Sequence, residues 1–231
     1  MNASRKPLVY IISAPSGSGK STLTNEILKL VPNLDFSISY TTRAPRGSER
    51  NGKQYHFVPM DEFNRMAAAG EFLEYANVHG NCYGTAREFL RQAGRNGHDL
   101  LLDIDVQGAA QIKRNLTDAI SIFVLPPDRG TLDWRLRNRK EDSEDVIQRR
   151  LVTASREIEE YDKYDYVLIN DQLEKSIERL QAIVLSERLR REQRTLSEEE
   201  REIVDRAERL RLANLKEKVQ PILASFRASG Q

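Results

Sequence analysis

Between two apolar stretches the chain reads Ala14-Pro15-Ser16-Gly17-Ser18-Gly19-Lys20-Ser21-Thr22, with almost no side chain to pack. Glycines let backbone N–H groups turn inward and approach a polyphosphate closely. A helix that begins at such a turn adds free N–H groups and a partial positive end. Lys20 supplies a mobile full charge for the β and γ phosphates, and Ser21 a hydroxyl for the magnesium ion that accompanies them. The general pattern is G-x-x-x-x-G-K-[ST], and Ala14 stands at its first glycine. Gly17 and Gly19 remain beside the lysine, so the phosphates of a nucleoside triphosphate are the expected occupant of residues 14 to 22.

A second group of residues suits a phosphate on another molecule. Arg43, Arg46 and Arg50 lie near Tyr40, Thr41, Thr42 and Tyr55. Guanidinium forks match phosphate oxygens in pairs, and phenols and hydroxyls add neutral donors. Glu74 follows in EFLEYANVHG. A carboxylate facing a purine edge selects guanine, whose N1–H and 2-amino group are parallel donors, over adenine, whose N1 is an acceptor. A mismatch there leaves a buried polar group unpaired, on the order of 10⁴ in discrimination. Taken alone, three arginines can be a solvated face and Glu74 an ordinary surface glutamate.

These groups need elements to hold them. Leu8 to Ser13 reads as a buried strand, and Lys20 to Leu30 as a helix with Leu23, Ile27 and Leu30 on one face. Further apolar runs are Leu100 to Asp105, Ala119 to Leu125 (stopped by Pro126-Pro127) and Tyr166 to Ile169. Helical spacing appears at Ile147, Leu151, Ala154, Ile158 and Tyr161, and at Ile177, Leu180 and Val184. Alternating strands and helices predict an α/β domain with a mostly parallel sheet flanked by helices. Residues 36 to about 90 break the rhythm with short strands and turns, and read as an inserted small lobe. From Leu185 the tail is charge and helix formers, with an apolar stripe at Leu212, Leu215, Val219 and Ile222. It reads as a helix packed on its own domain or one that contacts another subunit.

The 231 residues carry a net charge of +1, so no global field points to nucleic acid or membrane. Cys82 is the single cysteine, which excludes an internal disulfide and fits a reducing, cytoplasmic setting. No signal peptide or membrane-length apolar run is visible.

Several segments together resemble the bacterial-type guanylate kinases: SAPSGSGKSTL, SYTTRAPRGSERNGKQYHFV, EFLEYANVHGNCYGT, LLDIDVQGA and the arginine-rich RLRNR…QRRL, in this order. The resemblance covers roughly residues 6 to 188. It implies a P-loop NTPase core (6–35, 92–126 and 151–188), an inserted mixed α+β GMP-binding lobe (36–91) and a mobile lid (127–150), with 189–231 a charged helical extension. It implies the reaction ATP + GMP → ADP + GDP with Mg2+. By the family pattern Ser39, Glu74 and Asp105 surround the guanine. Arg43, Arg46, Tyr55 and Tyr83 hold the GMP phosphate, with Thr85 nearby on the nucleotide. Arg135 and Arg139 of the lid, with Arg150, close on the ATP phosphates, and Asn170 lies near the adenine. Asp103 holds magnesium-bound water. Arg135 and Arg139 are four apart and share a helix face, which leaves Arg137 to solvent. Cys82 and Lys140 depart from the family, at positions usually aromatic and glycine.

Two other readings fit the loop. A related kinase with another phosphorylated acceptor would have no use for Glu74. A scaffold-type domain that binds phosphopeptides would typically have lost Lys20, Ser21, Arg43 or Glu74, all of which are present. No residue is evidently dedicated to the 2′-hydroxyl, so dGMP is expected to fit as well.

Overall fold

The computed structural model describes residues 5–78, 80–138 and 143–227. The first apolar run forms β1 (Val9–Ser13), buried at every residue, as a strand covered on both faces must be. The loop that follows it turns at Gly17 and Gly19, with φ of 94° and 89°, a region that a Cβ disfavours. Helix α1 (Lys20–Leu30) begins directly after, with Gly19 as its N-cap and no side-chain cap. Leu23 and Ile27 are buried on it, but Leu30, expected on the same face, is 49% exposed. The helix stops there, and Val31, 2% exposed, turns inward instead.

A five-stranded sheet has the order β2-β7-β1-β8-β9, and a second sheet the order β4-β3-β6-β5. The chain divides into two compact units, Met1–Ile11 with Pro32–Ile120, and Ile12–Val31 with Ser121–Gln231.

In the first unit, β2 (Leu34–Ser37) pairs parallel with β7 (Asp99–Asp103), Leu34 opposite Asp99. The second sheet is mixed. Its strands are β3 (Tyr40–Thr41), β4 (His56–Phe57), β5 (Phe72–Val78) and β6 (Asn81–Ala86). β3 runs parallel to β4 and antiparallel to β6, and β5 is antiparallel to β6 at the sheet edge. Helices α2 (Met60–Ala68), α3 (Arg87–Asn96) and α4 (Val106–Asn115) complete the unit. Phe63, Met66, Phe72 and Ala86 form a small core of their own, with the Phe63 and Phe72 rings stacked at 4.7 Å. That core is what lets so short a set of strands persist.

In the second unit, β8 (Ile120–Leu125) is fully buried and pairs parallel with β9 (Tyr166–Ile169). Its helices are α1, α5 (Arg129–Asn138), α6 (Glu144–Ile158), α7 (Leu173–Glu192), α8 (Glu198–Glu208) and α9 (Leu212–Arg227). A capping box of Ser197 and Glu200 starts α8. The apolar stripe of the tail is real and wider than expected: α9 buries Leu215, Val219, Ile222, Leu223 and Phe226 and packs on α5, α6 and β9. No helix among the described residues is long and apolar enough to cross a membrane.

Candidate functional site

The phosphate loop is built by close approaches in the second unit. A Cβ on Gly17 would lie 2.9 Å from Leu132 Cδ1 and 3.0 Å from Leu136 Cδ2, side chains of α5. A Cβ on Gly19 would lie 2.4 Å from Asn170 Nδ2. Both glycines are favoured by their positive φ, and a Cβ on either would also displace these side chains. Asn170 is buried, and its amide donates to the Ser18 carbonyl at 2.7 Å. Arg135 donates to the Ser18 carbonyl at 3.4 Å and to the Asn170 carbonyl at 2.9 Å. Pro15 and Ser18 are buried, Ala14 and Lys20 half-buried, and Ser16, Ser21 and Thr22 exposed. A concavity opens over the loop, lined by Gly17, Gly19, Thr22, Arg135 and Asn170. Trp134, Asn138 and Leu173 also line it; sequence reasoning missed these three, although the chain's single tryptophan directly before Arg135 was a signal.

Asn170 was expected near the base of the nucleotide. Its side chain ties the loop at Ser18, and the residue also lines the concavity over the loop. Arg137 points to solvent as expected, pairing with Asp133 at 2.8 Å and with Glu144 at 2.8 Å. Arg150 is half-buried on α6. Arg139 lies outside the described residues.

The acceptor residues gather in the first unit. Arg43 sits over the rings of Tyr55 and Phe57, 5.4 Å and 5.8 Å from their centroids. Its Nε donates to the Tyr83 hydroxyl at 3.3 Å. Its two terminal nitrogens donate to both carboxylate oxygens of Glu49 at 3.0 Å and 2.9 Å, an anion–guanidinium fork. Glu49 also accepts from the Arg46 backbone N–H at 2.7 Å, and these contacts hold its carboxyl below the usual range. Sequence reasoning missed Glu49, six residues after Arg43 in the same turn. The Arg46 side chain is exposed. Burial, with the nearby Asp103 carboxylate, pushes the Tyr55 phenol up to about 12, so it remains a hydrogen-bond donor at neutral pH.

Glu74 is 6% exposed. Thr85 Oγ1 donates to its Oε1 at 2.6 Å, so the Thr85 hydroxyl proton is directed at Glu74. Burial first, and the Asp105 carboxylate in addition, push Glu74 up to about 7. Asp105 itself is the N-cap of α4, accepting from Gly108 N at 2.8 Å. Asp103 ends β7, and Ser39 lies half-buried before β3, its carbonyl accepting from His56 N at 2.9 Å. The unit thus holds the carboxylates of Glu74, Asp103 and Asp105, a threonine, two tyrosines and an arginine preset by Glu49. Chemically it offers acceptors for a donor-rich base and donors for an anion.

The family model described as guanylate kinase matches residues 4–187. This chain belongs to the guanylate kinase family. It is 54% identical over 222 residues to a guanylate kinase of Koribacter versatilis, 95% of each chain being covered. It is 50% identical over 186 residues to a guanylate kinase of Geobacter metallireducens, covering 80% of this chain and 92% of that one. A crystal structure of guanylate kinase from Anaplasma phagocytophilum superposes with a TM-score of 0.66 at 35% identity, covering 78% of this chain and 86% of that chain. The guanylate kinase fold accounts for both halves described above, a phosphate loop in a parallel-sheet core and a separate mixed sheet. Among the described residues no group of three or more His, Cys, Asp or Glu side chains is arranged to hold a metal ion. A metal carried in with a nucleotide needs no such group, because phosphates and water supply most of its oxygen ligands.

Proposed function

We propose that this chain transfers the γ-phosphoryl group of ATP to GMP, giving ADP and GDP. The observation that carries the reading is a buried carboxyl, Glu74, in a member of the guanylate kinase family that keeps an intact Gly-Lys-Ser phosphate loop. Guanine supplies two parallel donors to such a carboxylate, and adenine would set an acceptor against it. Glu74, Ser39 and Asp105 are the proposed base contacts, with Thr85 holding Glu74. Arg43, Arg46, Tyr55 and Tyr83 are proposed for the GMP phosphate. The main chain from Ala14 to Thr22 with Lys20 is proposed for the ATP phosphates, joined by Arg135, Arg139 and Arg150, and Asn170 supports the loop.

A GMP phosphate oxygen is already anionic near neutral pH and needs no general base. It attacks the γ-phosphorus as the bond to the bridging oxygen of ADP breaks. The barrier is repulsion between two anions and the shift of charge to the leaving group. Lys20 and the arginines lower it by position and by charge. Magnesium is the proposed ion: Ser21 is proposed to hold it by its hydroxyl and Asp103 through a water, and the ion when bound would screen the phosphate charge. dGMP is proposed as a second acceptor and the cytoplasm as the setting.

A coupled assay of ADP release with GMP, AMP, CMP and UMP tests this. GMP should exceed the others by more than about 10²-fold in kcat/KM. Comparable rates with all four would remove the reading.

A further inference from the structure

β5 is the edge strand of its sheet, and an edge strand presents unpaired N–H and C=O groups. Here α4 covers that edge with side chains. Gln111 Nε2 donates to the Tyr75 carbonyl at 2.9 Å, and Gln111 Oε1 accepts from Tyr75 N at 3.4 Å. One primary amide thus answers both backbone polar groups of one residue, as a neighbouring strand would. Asn115 Nδ2 donates to the Leu73 carbonyl at 3.1 Å. The two residues so held, Leu73 and Tyr75, flank Glu74.

The pairing of β5 with β6 explains why this stretch needs holding. Phe72 is opposite Ala86 and Glu74 opposite Thr85, so one extra residue, Leu73, is inserted in β5. A bulge of this kind bends a strand and re-aims the next side chain. The re-aimed side chain is Glu74, and it points at α4. A Cβ built on Gly108 would lie 2.8 Å from Glu74 Oε2. Gly108, Gln111 and Asn115 are spaced by three and four, a single stripe of the helix. The same helix is capped by Asp105.

We propose that Gln111 and Asn115 are positioning residues for guanine recognition, holding the bulge on either side of Glu74 while Gly108 leaves room for its carboxylate. α4 then works as a ruler: one end fixes Asp105 and the stripe beyond it fixes Glu74, so the spacing of the two base-facing carboxylates is set by a rigid helix. This rests on the reading of Glu74 as the group that recognises guanine.

The test is steady-state kinetics with both substrates on Gln111→Ala, Gln111→Met, Glu74→Gln and the double variant Gln111→Ala/Glu74→Gln. Gln111→Ala should raise KM for GMP about tenfold, with kcat and KM for ATP within about twofold. Gln111→Met, similar in length but without the amide, should behave the same way, which separates hydrogen bonding from packing. In the Glu74→Gln background the added Gln111→Ala should change KM for GMP by less than about twofold, because the group it acts through is gone. Additive effects, an equal rise in KM for ATP, or an unchanged KM for GMP would overturn the proposal. Glu74→Gln with wild-type preference for GMP over AMP would sink the reading of Glu74 itself, and that is visible before any Gln111 variant is compared. Should Gln111→Ala not fold, Asn115→Ala, at an exposed position, is judged by the same cycle with a smaller expected rise.

Discussion

At the scale of single residues, Glu74 carries the sharpest consequence. An exposed glutamate is ionised throughout the neutral range, but this one is raised to about 7 by burial and by Asp105. In its proposed role Glu74 meets guanine in the ionised form, so a proton on Glu74 would compete with GMP. We predict that kcat/KM for GMP falls by up to about tenfold per pH unit below 7 through this group. The second ionisation of the GMP phosphate, near pH 6, adds its own acid limb. Profiles between pH 5.5 and 8.5 for the parent and Glu74→Gln separate the two, since only the parent should show the Glu74 limb. Identical profiles would remove the assignment. The same shift bears on stability with the opposite sense. Between about 4.5, the unfolded value, and about 7, the folded chain holds more protons than the unfolded one. Glu74 therefore makes the fold less stable as pH rises through that window. Arg43 is the complementary case. Its fork is held by Glu49 with no ligand needed, so in its proposed role a GMP phosphate would meet a guanidinium that is already oriented and would exchange one anion for another. That costs less ordering entropy than capturing a free arginine side chain.

At the scale of elements, the same helix can be read well or badly depending on what faces it. Periodicity placed α1 correctly and put Leu23 and Ile27 inside, yet Leu30 is exposed because the helix ends and Val31 takes the buried place. The tail shows the reverse. A stripe of four residues was visible, while Leu223 and Phe226, which widen the buried face of α9, were not singled out. Their burial depends on α5, α6 and β9 being there to receive them. Phe226→Ala should cost about 3 kcal/mol or more, the range for deleting a buried aromatic ring, read as a lower midpoint in urea. A change under about 0.5 kcal/mol would mean that α9 is only loosely attached. Elements also explain the loop. Gly17 is pressed by Leu132 and Leu136 of α5, and Gly19 by Asn170 after β9; neither neighbour is near in sequence.

At the scale of the whole molecule, the proposed nucleotide contacts fall in two units, those for GMP in one and those for ATP in the other. Each nucleotide should therefore stabilise the chain by its own mass action. At about 100 times Kd a single ligand adds about 2.7 kcal/mol. Thermal unfolding should register a rise with GMP and a rise with ATP. Glu74→Gln should abolish most of the first and keep the second, and Lys20→Ala should do the reverse. Loss of both responses in either variant would show that the two sites are not separable in this way.

The sequence by itself determined the chemistry that depends on local order. A glycine turn between a buried strand and a helix, with lysine and serine at the helix start, is a contiguous device, and its geometry follows from φ preferences and helix termini. The order of the motifs along the chain was likewise enough to name the family. What only the tertiary structure decided are the relations between distant residues. Glu74 is buried because β6 supplies Thr85 opposite it and α4 supplies a glycine at position 108. Arg43 is preset because Glu49 folds back on it, and Asn170 reaches Ser18 across 152 positions of chain. Gln111 and Asn115 look like ordinary helix-surface amides until an edge strand with a bulge is laid beside them. Burial, pKa and hydrogen-bond partner are properties of a neighbourhood, and a neighbourhood assembled from separate strands and helices has no signature in the spacing of any one of them.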